Sequence, residues 1–318
     1  MHFGRTLALK VPMQVPRQIA AWGACLLISA CSGGGGASAG AAPAPIAAPV
    51  TVLAVGDIAQ CNGRPAADSA AATTAALIER EAPGTPLLLL GDLVYDSGTL
   101  QEYRNCYEPT YGKFMAQSYP APGNHDYGVP GGADYYGYFG ARAGPAQRGW
   151  YSFDLGSWHI VSLNSNTDMA QGSAQEAWLR ADLAAHRDVK CTLAYWHHPR
   201  FSSSSMHGDD ARSTDIWRTL FEFHADVVLV GHDHLYERFG AQDPDAQPSP
   251  DRGLRQFVVG TGGAALYAFG AARPNSELRY SATHGIAKFV LGDGKYSWAF
   301  VPVTGGTFSD AGEGFCVP

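Results

Sequence analysis

Charge is what this sequence has least of. Asp, Glu, Lys and Arg make up 16% of its 318 residues, against about a quarter in ordinary globular chains. Together with 38 Gly and 20 Pro, this excludes a coiled coil or helical bundle and suggests a rigid, loop-rich globular protein. Basic residues are the scarcer sign, 22 against 29 acidic, for a formal net charge of −7. That balance argues against general nucleic-acid binding, which needs a basic footprint. No apolar run approaches the roughly 20 residues of a membrane span. There is no CxxC pair, which argues against a zinc ribbon or a redox motif. There is also no GxSxG elbow and no paired base to activate a serine. Gly260-Thr-Gly-Gly263 fails the GxGxxG spacing of a dinucleotide loop, and no internal repeat is evident. Apolar residues, by contrast, are plentiful at 46%, so most of the chain can build a core and is not intrinsically disordered. At about 150 residues per domain, the length allows one large or two small domains.

Residues 1–31 read as an address. Arg5, Lys10 and Arg17 precede the short apolar run Ile19–Ile28, the pattern of a secretory signal peptide. The run ends at Ile28-Ser29-Ala30-Cys31, which resembles the lipobox of bacterial lipoproteins and makes Cys31 the expected lipidated residue. Ordinary cleavage after Ala30 and secretion is the alternative, and Met13 is a possible start. The chain is thus expected to be exported to the periplasm or cell envelope, touching membrane only through an N-terminal lipid. Residues 32–49, almost entirely Gly, Ala, Ser and Pro, read as a tether. The folded part is then residues 50–318, one domain.

Short apolar runs alternate with helical patterns along this part. Strands are expected at Thr51–Val55, Leu87–Leu90, Trp158–Leu163, Thr192–Trp196, Val227–Val230 and Phe257–Val259. Continuous apolar strands of this length suit a sheet covered on both faces. Helices are expected over Asp68–Arg80, over Ser173–Ala185 behind a capping-box pattern, and over Ser213–His224. His284–Leu291 and Tyr296–Val303 read as a hairpin about Gly292-Asp293-Gly294. Residues 240–253 read as a surface loop.

Five segments carry the chemistry, each at or near a strand end: Gly56-Asp57-Ile58-Ala59, Gly91-Asp92-Leu93-Val94-Tyr95, Gly123-Asn124-His125-Asp126, His197-His198-Pro199 and Gly231-His232-Asp233-His234. Strand C-terminal ends are where α/β sheets gather functional groups. Carboxylates, a phenol and imidazoles suit first-row transition metals better than calcium. One carboxylate can bridge two ions in a phosphoryl-transfer site. Cysteine use agrees with export. Outside Cys25 and Cys31 four remain, an even number that favours two disulfides, with three possible pairings. Cys61–Cys106 is favoured, because both are expected just after strand ends that the motifs draw together, and Cys191–Cys316 then follows.

In this ordered set the chain resembles the calcineurin-type metallophosphoesterases, and among them the purple acid phosphatases. Most metallophosphoesterases open with Asp-x-His, whereas Asp57-Ile58-Ala59 has no imidazole there. Tyr95 in Gly-Asp-x-x-Tyr replaces the lost ligand, as in the purple branch, and Gly231–Arg238 resembles that branch's last motif. The resemblance implies an α/β fold, a two-sheet β-sandwich flanked by helices in four layers, αββα. It implies Asp57, Tyr95 and His234 on one metal ion, Asn124, His197 and His232 on a second, and Asp92 bridging. It further implies Fe3+ at the Tyr95 position, a second Zn2+, Mn2+ or Fe2+, and hydrolysis of a small phosphate monoester by water activated on the metals.

His125 is expected to clamp phosphate and His207 to protonate the leaving group, with Asp126 either orienting His125 or belonging to its turn. His198 is expected to point away from the ligand His197 and so to support the site from behind or serve the fold. His159 reads as a core histidine, and His186 and His224 as helix-end residues. A phosphodiesterase or nucleotidase on the same metals, or a cell-surface binding protein of the same fold, is the competing reading. Plant-type members carry an additional β domain that the stretch before Asp57 is too short to hold, so substrate access and oligomeric state do not carry over from them. The overall charge of −7 does not count against an anionic substrate where metals dominate the local field.

Overall fold

A strand that is apolar along its whole length needs cover on both faces, and the alternation of its side chains decides which cover each residue meets. The computed structural model describes residues 48–317 apart from 82, 146 and 147. The expected signal segment, Cys31 and nearly all of the tether lie outside the described residues. Strand β1 (Val50–Val55) shows the alternation. Its Val52 and Ala54 join an apolar layer with Leu88, Leu90, Ile160, Leu193, Leu229 and Phe257, while Leu53 and Val55 join a different layer with Ala71, Ala75 and Ile78.

Two mixed sheets result. The first has the order β13-β12-β11-β1-β2-β3, the second β10-β8-β9-β7-β6-β5-β4. In the first, β2 (Leu87–Leu90) and β3 (Ser118–Ala121) run parallel to β1. The hairpin β11 (Gly285–Gly292) and β12 (Lys295–Pro302) and the last strand β13 (Asp310–Phe315) extend it antiparallel. Gly292 pairs with Lys295, so Asp293-Gly294 is the two-residue turn. In the second sheet β5 (Trp158–Ser162), β6 (Cys191–Tyr195), β7 (Val227–Val230) and β9 (Arg255–Val259) are parallel. The strands β4 (Tyr151–Leu155), β8 (Tyr236–Phe239) and β10 (Ser276–Tyr280) pair antiparallel.

Helix α1 (Ala70–Glu81) and the tyrosine-rich α2 (Ala133–Phe139) cover the first sheet. Helices α3 (Ala174–Ala185) and α4 (Thr214–Glu222) cover the second, through Leu179, Leu183, Ile216, Trp217 and Leu220. The fold is the expected αββα sandwich. Ser173 caps α3 by accepting from Glu176 N at 3.2 Å, but the Glu176 carboxylate bonds Gly172 N, so the box closes one residue early.

Both favoured disulfides are present, Cys61–Cys106 and Cys191–Cys316. One premise for the first was wrong. Cys106 sits within the helical run Tyr103–Tyr107, well beyond the end of β2.

Candidate metal centre

The site forms where β1, β2, β6 and β7 end side by side. The loops leaving β1 and β2 are laced together by Asp57 N to Gly91 O (3.0 Å) and Ile58 N to Asp92 O (2.9 Å), and those leaving β6 and β7 by Gly231 N to His197 O (3.0 Å). Asp57, Asp92 and His232 all take left-handed backbone conformations, with φ of 60°, 51° and 69°, which turn their side chains sharply out of the strand direction. Gly91 (φ 86°) has no room for more: a Cβ would lie 2.6 Å from Nδ1 of His197. At Gly123 a Cβ would collide with the Asp92 carboxylate.

All seven expected ligands meet. The Tyr95 hydroxyl lies 3.0 Å from Oδ1 of Asp57, 3.0 Å from Nε2 of His234 and 3.2 Å from Oδ2 of Asp92. Nε2 of His197 lies 3.1 Å from Oδ1 of Asn124, 3.2 Å from Nδ1 of His232 and 3.2 Å from the same Oδ2 of Asp92. Two donor groups thus share one oxygen. Asp57, Asp92, Tyr95, His197 and His234 are buried, His232 is half-buried and Asn124 is exposed.

The remaining polar atoms are anchored elsewhere, which fixes each donor's aim. Oδ2 of Asp57 accepts from His232 N (2.9 Å) and Oδ1 of Asp92 from His125 N (2.8 Å). Nδ1 of His197 donates to Leu90 O and Nδ1 of His234 to Ala265 O, both at 2.8 Å, so each keeps Nε2 as a ligand atom.

The electrostatics suit a cation. Burial opposes charge on Asp92, but the charge and hydrogen bond of His197, with help from His125, hold its carboxyl well below the usual carboxylate range. His197 is pushed up to about 9 by Asp92 against its own burial. Burial and the charge on His197 push His232 down to about 2. Burial, then the charges of Asp57 and Asp92, raise the Tyr95 phenol well above its ordinary value. A phenolate beside two carboxylates needs a positive ion to exist, and a cation supplies that reversal. The donor set therefore fits two metal ions.

His125 packs against Tyr95 (ring centroids 4.4 Å) with Nδ1 bonded to Asp96 O. Its Nε2 is 3.9 Å from Oδ2 of Asp92. His207 is exposed and stacks on His232 at 4.2 Å. Asp126 is fully buried, and its carboxylate accepts from Gly123 N (2.8 Å), Leu93 N (3.1 Å) and the Tyr103 hydroxyl (2.6 Å). None of these bonds involves the His125 ring; they pin the Asp92 and Asn124 loops together. Burial and the charge of Asp92 push Asp126 up to about 7, against those three hydrogen bonds.

The direction expected of the His198 side chain needs a correction. Strand β6 ends at Tyr195, so strand alternation no longer governs it. It packs against His232 (4.4 Å) and bonds Ser165 Oγ through Nδ1 (2.7 Å), with one nitrogen close to those of His197 and His232. Tyr267 was missed altogether. Its ring stacks on His234 at 4.0 Å, and no motif marks it. The only signal was the glycine run before it, which bonds the β1 loop through Gly262 N to Gly56 O and Ala264 N to Asp57 O, each 3.0 Å.

A profile of the calcineurin-like phosphoesterase family matches residues 50–236. The chain belongs to that family. Among relatives of this chain, purple acid phosphatase 22 of Arabidopsis thaliana is 34% identical over 162 residues, which is 47% of this chain and 36% of that protein. An uncharacterized protein of Mycobacterium tuberculosis is 32% identical over 185 residues, 46% of this chain and 35% of the relative. The match spans about a third of those relatives' length. Among solved structures, purple acid phosphatase PPD1 from yellow lupin seeds superposes with a TM-score of 0.68 at 19% identity, covering 84% of this chain and 53% of the lupin one. PhoD gives 0.60 at 13%, covering 85% and 69%. At such identities these likenesses speak to the fold alone.

Proposed function

We propose that the chain hydrolyses small phosphate monoesters at a two-metal centre of the purple acid phosphatase kind. The observation that carries this reading is Oδ2 of Asp92, 3.2 Å from Tyr95 Oη on one side and 3.2 Å from His197 Nε2 on the other. Asp57, Tyr95 and His234 with Asp92 would hold the first ion. Phenolate and carboxylate donors favour Fe3+ there. Asn124, His197 and His232 with Asp92 would hold the second, whose amide and imidazole donors suit Zn2+, Mn2+ or Fe2+. When bound, two such ions acidify water and neutralise charge on phosphoryl oxygens.

The chain's own residues do the rest. His125 keeps Nε2 on the Asp92 side of the site because Nδ1 is tied to Asp96 O, and in that position it can hold a phosphoryl oxygen. His207 is exposed over the ring of His232, placed to give a proton to the departing alkoxide. Asp126 positions the Asp92 and Asn124 loops without touching substrate. Two disulfides support an oxidising compartment, in keeping with export and lipidation at Cys31.

The test is metal analysis joined to parallel assays of a monoester, a diester and a nucleotide. Two ions per chain and fastest turnover of the monoester are expected. A faster diester or nucleotide would shift the substrate class, and absence of metal would sink the proposal. A Cys31→Ser variant should move from the membrane fraction to the soluble one.

A further inference from the structure

A second cluster of metal-ligating side chains lies on β4, β5 and the C-terminal end of α3, elements that contribute no donor to the centre above. One atom each from Asp154, His159 and His186 lie within 4.8 Å of one another. Nδ1 of His159 is 2.9 Å from Oδ1 of Asp154, and the two imidazole rings stack at 3.8 Å, 17° from parallel, so the half-exposed His186 ring has to turn for both in-plane lone pairs to meet one ion.

A carboxylate and a backbone carbonyl hold the two rings, as such partners hold metal-bound histidines. Nε2 of His159 is 2.8 Å from Oδ2 of Asp182 and donates there, while Nδ1 donates to Oδ1 of Asp154 and offers a lone pair once that proton leaves. Nδ1 of His186 donates to the Asp182 carbonyl at 2.7 Å, which leaves Nε2 free. Oδ1 of Asp182 is taken up by Ser152 Oγ at 2.8 Å. The His159 side chain is 1% exposed, whereas those of Asp154 and His186 are 59% and 31% exposed. The cluster therefore has a buried floor and an open mouth, the entry path that a metal site requires.

We propose that Asp154, His159 and His186 form a peripheral binding site for a divalent transition metal, with Asp182 as the carboxylate behind His159. Two imidazoles and a carboxylate suit Zn2+ or its neighbours. Where His159 carries protons on both nitrogens, the ion takes the place of the one on Nδ1, which leaves to solvent. Asp154 lies on β4, the edge strand of its sheet, and His186 caps α3. The ion would tie that edge to the helix and stabilise the fold by mass action.

The experiment compares wild type with the double variant D154N/H186A, both isolated with their catalytic ions and then titrated with Zn2+ by equilibrium dialysis. The substituted side chains are away from the catalytic donors, so turnover is expected to be unchanged and reports that the variant is folded. Wild type is expected to take up one more Zn2+ per chain than the variant and to gain Tm on adding zinc. Equal uptake by the two proteins would overturn the proposal, as would zinc uptake without a difference in Tm response. If the double variant folds poorly, His186→Ala alone carries the comparison, with the same two results decisive.

Discussion

The Tyr103 hydroxyl donates a 2.6 Å hydrogen bond to Oδ1 of Asp126, fastening the helical run after β2 to the loop that carries Asn124 and His125. Leu93 N and Gly123 N bond the same carboxylate, so three segments meet on one buried group. Tyr103→Phe removes one donor from a buried acceptor and is expected to lower stability by about 1–3 kcal/mol. Asp126→Ala, which removes the hub, should lower stability further and reduce metal occupancy. Urea denaturation with metal analysis on the same samples checks both, and unchanged midpoints would show that the hub bears little.

Because Oδ2 of Asp92 belongs to both donor groups, Asp92→Asn is expected to weaken both ions together. Asp57→Asn should weaken only the first, and His232→Ala only the second. Losing an outer partner of a metal ligand lowers affinity or activity by about 10–100-fold, so loss of the bridging ligand should exceed that. Metal content per chain separates the three outcomes.

Tyr95→Phe keeps the buried ring but removes the phenol that lies between Asp57, Asp92 and His234. With Fe3+ in the first position, the purified wild type should be coloured and the variant colourless. A coloured Tyr95→Phe protein would place the chromophore elsewhere.

His207→Ala is expected to slow substrates with poor leaving groups by about 10²–10⁴-fold, with much less effect on an activated aryl ester. His125→Ala should instead act on substrate with either leaving group. An equal loss for both ester types in His207→Ala would assign His207 to binding.

The His159–Asp182 pair sets a pH window for stability. Burial opposes charge on His159, but its bonds to Asp182 and Asp154 outweigh that and raise it above its ordinary 6.5. Burial likewise opposes charge on Asp182, yet His159 and Ser152 hold it below 3.8. The His159 contribution is full below pH 6.5 and fades as pH rises through its raised folded value. The Asp182 contribution is full above pH 3.8 and fades as pH falls through its lowered one. His159→Gln should therefore destabilise most between about pH 4 and 6.5, by on the order of 2 kcal/mol, and less in alkali. Denaturation across pH without added zinc tests this, and a flat difference would sink it.

The central strands were legible because burial on both faces writes an unbroken apolar run, as in Leu87–Leu90. Their ends were legible because Gly-Asp and Gly-His follow directly. Edge strands were not: β10 and β13 alternate half-buried and exposed residues almost throughout and carry Glu277, Arg279 and Glu313, so they lack a strong apolar signal. The run from Leu100 to Gln117 mixes several short helical forms and has no single period. Among site residues, the ligands announced themselves by motif. His198 did not, because its place depends on where β6 stops, and Tyr267 did not, because stacking on His234 is a contact across 33 positions of chain.

Three donors, Asp57, Asp92 and His232, sit at left-handed φ values, a conformation that costs a non-glycine residue roughly 1–3 kcal/mol when structure enforces it. The same loops gather two buried carboxylates, of which Asp92 already has His197 as a positive partner. Glycine at His232 would relieve its share of that strain while removing one donor of the centre. Compared without metal, a descendant carrying that glycine would then outlast its parent in heat, and a screen for thermal tolerance alone would select loss of the ligand.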